Sequence, residues 1–364
     1  MVCPGVFAGG TGGHTLCYSA QRALTQQRFF SRRTASGPER APHLVFCNPA
    51  RLAYKQRVSG ASLESINAST RFCAVLGHPV RHSASPAMHN AALAALRLNW
   101  RYLAAEVRPA DLRAAIIGAK AMRFAGINLT VPHKTAALEM MDALSEKAGL
   151  LGAVNTIVFE SPGPAGDWIP LGRASGDGVT EVRSHGHNTD ADGLAHSLKE
   201  DFHWPDLRGA SVLLLGAGGA ARAAALQLAE EGVASLFLVN RTAARAGQLA
   251  AEVAARFPAV KIILTLPPDP VDLVLNATSL GLKADDPPPL DEAWLKSRRP
   301  PRVYDMIYRP AETAFLRAAK AAGCQTANGL GMLLYQGAAA LELWTGLPAP
   351  IEIMRAALKE NIYG

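Results

Sequence analysis

From residue 72 onward the chain falls into blocks in which short apolar runs alternate with stretches of helical period. Phe72–Leu76 has the brevity and apolarity of a strand, and Pro86–Leu96 follows as an Ala/Leu helix. Arg101–Val107 reads as a strand. Ala110–Met122 reads as a helix with Leu112, Ile116 and Ile117 on one face. Gly126–Val131 is a further strand, a helix is expected from about Pro132, and Val154–Phe159 is again a strand. Residues 161–186, rich in Gly, Pro and Ser, predict a loop or an irregular hairpin extension. A second series opens at Ser211. Strand Val212–Leu215 leads into helix Ala220–Glu231, then strand Leu236–Val239 and helix Thr242–Phe257. Strands Lys261–Leu264, Leu273–Asn276 and Val303–Met306 complete it, and Met332–Trp344 and Ile351–Glu360 are amphipathic stretches in the tail. Strand–helix alternation of this kind implies mainly parallel sheets covered by helices, in two tandem α/β units.

Composition changes that picture only at the N-terminus. The chain has 364 residues, of which 49% are hydrophobic and 18% charged, enough for two ordinary globular cores. No apolar run is long enough for a membrane-spanning helix. Its net charge is +7, but residues 1–70 carry eight basic residues against Glu39 and Glu64, so +6 of it sits there. The nearly neutral remainder has no electrostatic footprint for a nucleic acid. The basic segment reads as translated sequence upstream of a later start in preference to an organelle transit peptide, so a cytoplasmic location is expected. Gly9-Gly10-Thr11-Gly12-Gly13 has neither a preceding strand nor a following Lys-Ser/Thr and reads as linker. The five cysteines form no C-x-x-C pair, which fits a reducing compartment. His78, His82 and His89 have no thiol or second cluster to complete a zinc site, so no metal is expected.

Three places carry candidate chemistry. Gly216-Ala217-Gly218-Gly219-Ala220-Ala221 fits G-x-G-x-x-A directly after an apolar strand and at the opening of an Ala-rich helix. Glycines there let backbone approach a pyrophosphate, and the helix N-terminus supplies N–H groups and positive dipole. An acid at the end of the second strand would select NAD; this chain has Asn240-Arg241-Thr242-Ala243-Ala244-Arg245 instead. Two arginines four apart share a helical face and suit a 2′-phosphate, so NADP is favoured. Between the first strand and its helix, Ser85 is placed to cap the helix that Pro86 begins. Ser83 and Ser85 together offer hydroxyls for a carboxylate. In Asn128-Leu129-Thr130-Val131-Pro132-His133-Lys134, Lys134 falls in the first turn of the expected helix. A solvated lysine tolerates that position; facing a cleft, the helix dipole would ease release of its proton. The clusters Gly152–Thr156, Asn188-Thr189-Asp190 and Asn276-Ala277-Thr278-Ser279 read either as turns and caps or as ligand-facing strand ends.

Taken in order, Val75–Asn90, Asn128–Lys134, Gly152–Thr156, Asn188–Gly193, Gly216–Arg222, Asn240–Arg245, Asn276–Gly281, Tyr304–Tyr308 and Asn328–Gln336 resemble the shikimate dehydrogenase family across essentially all of 72–364. The resemblance implies a substrate-binding and catalytic domain of 72–189 plus 329–364 and an NADP-binding Rossmann domain of 190–328; it says nothing of residues 1–70, whose composition reads as a disordered leader outside both. It implies that Lys134 and Asp190 form the catalytic pair and that Ser83 and Ser85 bind the substrate carboxylate, with Tyr308 nearby. Thr130, Asn155 and Gln336 would hold the ring and its hydroxyls. Gly216, Ala217, Gly218, Gly219 and Ala220 would hold NADP together with Asn240, Arg241, Thr242 and Arg245; Thr278, Met306 and Gly329 would line the nicotinamide side. The implied reaction is reversible NADPH-dependent reduction of 3-dehydroshikimate to shikimate, by a monomer or homodimer, in chorismate and aromatic amino acid biosynthesis. An NAD-using quinate/shikimate dehydrogenase and a non-catalytic ligand sensor are the rival readings. Asn328 where Asp is frequent, Ala191 where Gly is frequent, and a longer 161–186 are the departures.

Overall fold

The computed structural model describes residues 66–364 apart from 175–178, 180 and 284, so expectations about residues 1–65, Gly9–Gly13 included, lie outside the described residues. In chain order the first part contains β1 (Arg71–Gly77), α1 (Ser85–Ala95), β2 (Trp100–Glu106), α2 (Leu112–Ala121), β3 (Gly126–Leu129), β4 (Ala143–Leu144), α3 (Glu146–Leu151), β5 (Thr156–Pro162), β6 (Trp168–Pro170) and β7 (Arg183–His187). Seven strands form one sheet in the order β2-β1-β3-β5-β7-β4, with β6 paired to β5. The alternation of β1 sends Cys73 and Val75 to one face and Ala74 and Leu76 to the other, and both faces are covered. On one side lies α1 with Met88 and Leu93. On the other are Leu112 and Ile116 of α2.

The sheet is mixed, which corrects the mainly parallel expectation for this half. β1 runs parallel to β2 and β3, but β5 is antiparallel to β3, β6 and β7. The segment read as loop or hairpin extension does contain a hairpin, in which Ser161 and Pro162 of β5 pair with β6, and it then runs into an unexpected strand, β7, from Arg183. That strand escaped the apolar pattern because it pairs polar groups across the ladder: Arg183 stands opposite Glu160 and donates to it at 2.7 Å, and His185 Nδ1 lies 3.1 Å from the same carboxylate. No helix starts at Pro132; residues 131–137 are turns, followed by a 3-10 turn at Leu138–Met140. The reason is tertiary: the Lys134 carbonyl, which a helix would give to residue 138, accepts instead from the Val154 N–H at 2.8 Å.

The second part contains α4 (Asp190–Asp201), β8 (Ser211–Leu215), α5 (Gly219–Glu230), β9 (Ser235–Val239), α6 (Ala243–Arg256), β10 (Lys261–Ile263), β11 (Leu273–Asn276), α7 (Glu292–Arg298), β12 (Arg302–Asp305), α8 (Ala314–Ala321) and β13 (Gln325–Asn328). Its six strands are all parallel, ordered β10-β9-β8-β11-β12-β13. That is the doubly wound order with its switch point between β8 and β11. Val212–Leu215 are at most 2% exposed because helices cover both faces, so β8 reads as one continuous apolar run.

The last two helices, α9 (Leu330–Thr345) and α10 (Ile351–Tyr363), return to the seven-stranded sheet. Leu334, Leu341, Trp344, Met354 and Leu358 join the core around Cys73 and Val75. Trp344 anchors them: its Nε1–H donates to the Ile157 carbonyl at 3.1 Å, and its ring occupies the space over Gly126, where a Cβ would lie 1.9 Å from Nε1. Burying a side chain of this size contributes ~1.5–3 kcal/mol or more. α9 also packs along α4, so one helix pair joins the two sheets.

Candidate active site

Between the sheets lies a cavity of about 460 Å³. Three loops at strand ends build most of its wall, together with three helix starts. Ser83 and Ser85 come from the β1–α1 connection, Thr130 and Lys134 from the turns after β3, and Met306 and Tyr308 from the segment after β12. Asp190 opens α4, Ala220 lies in the first turn of α5, and Gly329 and Gln336 come from the start and middle of α9. Ten of the residues singled out in the sequence thus meet in one place. The C-terminal ends of parallel strands leave their loops free to face a ligand while the sheet fixes their spacing.

Lys134 Nζ donates to Asp190 Oδ2 at 2.6 Å, with the lysine side chain 32% exposed and the carboxylate 13%. Asp190 sits in the first turn of α4, where the helix dipole favours a carboxylate. Because no helix begins at Pro132, the dipole argument for Lys134 falls; its setting is the Asp190 carboxylate and the cavity. Ser85 is the first residue of α1 rather than its cap. Ala84 precedes the helix without a side-chain cap, and the Ser83 hydroxyl accepts from the Ser85 N–H at 3.3 Å. The Ser83 hydroxyl is therefore held at a helix N-terminus, and both serines line the cavity. Burial pushes the Tyr308 phenol up from its usual range, so it stays a proton donor at neutral pH.

Beneath the cavity runs a buried polar network. The Tyr102 hydroxyl donates to Asn128 Oδ1 at 2.7 Å, and Asn128 Nδ2 donates to Thr156 Oγ1 at 2.9 Å and the Asn155 carbonyl at 3.2 Å. Asn155 is only 1% exposed and does not line the cavity; its Oδ1 accepts from the Thr189 N–H at 2.7 Å and its Nδ2 donates to Thr189 Oγ1 at 3.0 Å. Such satisfied networks hold the groups above them in one geometry. Asn128 has no role in the sequence reading, although it lines the cavity. A lone amide in the otherwise apolar run Gly126–Leu129 is the signal that marks it.

A second recess of about 400 Å³ lies against the glycine-rich turn, lined by Ala217, Gly218, Gly219 and Arg245, and by Arg222, Gln248, Leu249 and Glu252, which have no role in the sequence reading. Gly216 has φ +117°, a conformation side chains rarely adopt, and Gly218 precedes α5 without any side-chain cap. An uncapped helix N-terminus beside an arginine is a donor set that fits a dinucleotide's phosphates. Arg241 and Arg245 do not share a helical face: α6 begins at Ala243, so Arg241 precedes it, and both side chains are exposed. Gly216, Asn240, Arg241, Thr242 and Thr278 line neither cavity; Asn240 Nδ2 donates to the Thr242 carbonyl, and Thr278 Oγ1 to Asn276 Oδ1.

A switch-point turn opening toward a cavity that holds a lysine–carboxylate pair puts the molecule among the α/β oxidoreductases that work with a dinucleotide. Family models agree in three stretches: the shikimate dehydrogenase substrate binding domain matches residues 75–157, shikimate / quinate 5-dehydrogenase 197–279, and the shikimate 5′-dehydrogenase C-terminal domain 329–359. Shikimate dehydrogenase (NADP(+)) of Moorella thermoacetica is 44% identical over 303 residues, covering 81% of this chain and 95% of that one. A crystal structure of a shikimate dehydrogenase in complex with NADP+ superposes with a TM-score of 0.71 at 37% identity, covering 82% and 98% of the two chains. The Thermus thermophilus enzyme in complex with NADP(H) and shikimate gives 0.66 at 36% identity, covering 80% and 99%. The chain belongs to the shikimate dehydrogenase family of NADP-dependent oxidoreductases.

Proposed function

We propose that this protein interconverts 3-dehydroshikimate and shikimate, with Lys134 and Asp190 as its catalytic pair. The observation that carries the proposal is the 2.6 Å Lys134–Asp190 contact on the wall of a cavity that also holds Ser83, Ser85 and the start of the helix after the glycine-rich turn. When bound, NADPH supplies the hydride that reduces the ketone carbon. Lys134 hands a proton from its ammonium group to the oxygen that becomes the alcohol, and in the reverse direction takes it back. Asp190 keeps Lys134 aimed and accepts a hydrogen bond from a ring hydroxyl. Ser83 and Ser85, at a helix N-terminus, hold the substrate carboxylate, with Tyr308 of the same cavity donating to it. Thr130 and Gln336 face the ring hydroxyls, and Asn155 acts from beneath through Thr189.

In this reading the glycine-rich turn holds the pyrophosphate, Arg241 and Arg245 the 2′-phosphate, and Met306 and Gly329 the nicotinamide side. The substrate domain is 72–189 with 329–364, and the dinucleotide domain 190–328. The protein acts as a monomer or homodimer in the cytoplasm; among the described residues no helix is long and apolar enough to cross a membrane. The test is one assay of purified protein with shikimate or quinate crossed with NADP or NAD. Turnover is expected to be highest with shikimate and NADP. Faster oxidation of quinate with NAD would replace this reading by that of a quinate dehydrogenase.

A further inference from the structure

Helix α3 is gripped at its C-terminal end by the other half of the molecule. Its last carbonyls, those of Leu150 and Leu151, lack donors within the helix, as the last turn of any helix does. Arg256 Nη1 donates to the Leu150 carbonyl and Arg222 Nη1 to the Leu151 carbonyl, two cations at the negative end of the helix dipole. Arg222 is held in turn by a fork on Glu252, with Nε at 2.8 Å and Nη2 at 2.5 Å from its two oxygens, and Arg256 lies 3.2 Å from the same carboxylate. Gly152 ends the helix at φ +57°, and a Cβ there would lie 3.3 Å from the Arg222 guanidinium. The other end is tied as well: Lys147 Nζ reaches Glu230 at 3.0 Å and Gln227 at 3.3 Å, both on α5.

Arg222 stands in the first turn of α5 and lines the recess against the glycine-rich turn. It looks like a phosphate ligand, but each of its three nitrogens already donates one bond within the protein, two to Glu252 and one to Leu151. Two residues beyond Gly152, the Val154 N–H donates to the Lys134 carbonyl at 2.8 Å. This is the bond that replaces a helix at Lys134. A continuous path of contacts therefore runs from the dinucleotide-binding helix through Arg222 and the end of α3 to the backbone of the lysine.

We propose that Arg222 is a positioning residue, which with Glu252 sets the placement of Lys134 relative to the dinucleotide site. The kinetic part of this inference rests on the reaction proposed above. A guanidinium fork fixes both direction and distance, whereas a point cation fixes neither. The experiment compares Arg222→Met, Arg222→Lys and Glu252→Gln with the wild-type chain by steady-state kinetics and by hydrogen exchange of the segment 150–156. Misplacing a reacting group by an ångström costs up to about 100-fold, so Arg222→Met is expected to lose about 10- to 100-fold in turnover while KM for NADP changes by less than about threefold. Exchange at 150–156 should accelerate in the same variant, with β1 unaffected. Arg222→Lys should stay impaired although it keeps the charge. Unchanged turnover with unchanged exchange would overturn the proposal. So would a KM for NADP that rises as far as turnover falls, since that marks a phosphate ligand. If Arg222→Met does not fold, Arg222→Lys and Glu252→Gln carry the same readouts. A wild-type chain inactive on shikimate would sink the assigned reaction, and the exchange data would still decide the clasp.

Discussion

The seven-stranded sheet carries polar side chains inside it, and the six-stranded sheet keeps most of its own at the rim. In the first, Asn128, Asn155, Thr156, Glu160 and Thr189 are all buried within or just behind the strands. In the second, β8 and β9 are apolar at their centres, and Asn276 and Asp305 sit at the last residues of β11 and β12. Asp305 is completed by its neighbours: Thr313 Oγ1 donates at 2.7 Å, Asn276 Nδ2 at 3.0 Å and the Ile307 N–H at 3.1 Å. The difference follows from what each half must present. A dinucleotide's phosphates can be held by backbone N–H groups, which any apolar strand and tight turn will deliver. A small polyhydroxylated acid needs directed side chains, and those need a satisfied polar layer behind them.

The largest test of that division is chemical. Lys134→Ala should lower turnover by about 10²–10⁴-fold, the usual contribution of a general acid–base group. Shikimate affinity by calorimetry should fall far less, because Ser83, Ser85 and Gln336 remain. Near-normal turnover would make the lysine a bystander and return the first half to a purely structural role. Next in size is the dinucleotide half. Replacing Arg241 and Arg245 by Gln should weaken NADPH more than tenfold with little change for NADH, since each charge-assisted contact contributes about 1.5–3 kcal/mol. Equal losses for both cofactors would sink the assignment of these arginines to the 2′-phosphate.

A smaller effect separates the halves by pH. Burial lowers both His89 and His187 to about 4, the latter helped by His185 beside it, although Glu160 pulls the other way. In the unfolded chain they titrate near their ordinary value of about 6.5, so between there and about 4 the unfolded state binds more protons. Stability is therefore fully present above that window and is lost as pH falls through it. Both residues belong to the seven-stranded half, so its amides should lose protection first on acidification, and His187→Gln should flatten the slope of Tm against pH. A slope unaltered by that change would locate the acid sensitivity elsewhere. The smallest expected effect is none: a chain beginning at residue 66 should keep its turnover, since both sheets and both cavities lie beyond it. Loss of activity on that deletion would add a third region to the comparison.

The same contrast governs how far the amino-acid order can be read. Gly216–Ala220 and the strand before it announce themselves, because their function is local: a turn, a helix start, an apolar strand. The seven-stranded half is less legible. The helix expected at Pro132 is absent because Val154, distant in sequence, claims the Lys134 carbonyl. β7 is hidden because Arg183 and His185 look like loop residues until Glu160 is seen opposite them. The start of α4 reads as a polar cluster, although it is where Asp190 receives its orientation. Candidate site residues within recognisable segments are legible, and Asn128 is marked only by being a lone amide in an apolar run, whereas Arg222, whose partners Leu151 and Glu252 lie far along the chain, carries no local sign of its role.

The space shared by Gly126 and Trp344 bears on how this sequence can drift over generations. An indole ring fills the place of a missing Cβ, and its N–H closes on the Ile157 carbonyl of the neighbouring strand. Any side chain at 126 must evict the ring, and any smaller residue at 344 leaves a hole over the glycine and removes the indole's bond to the Ile157 carbonyl. Neither position can change first without loss. Descendants of this chain should therefore hold both residues or exchange both together, and the pair should surface as covariation between β3 and α9. Lineages in which one has changed while the other stayed fixed would show that the sheet can shift to absorb the difference.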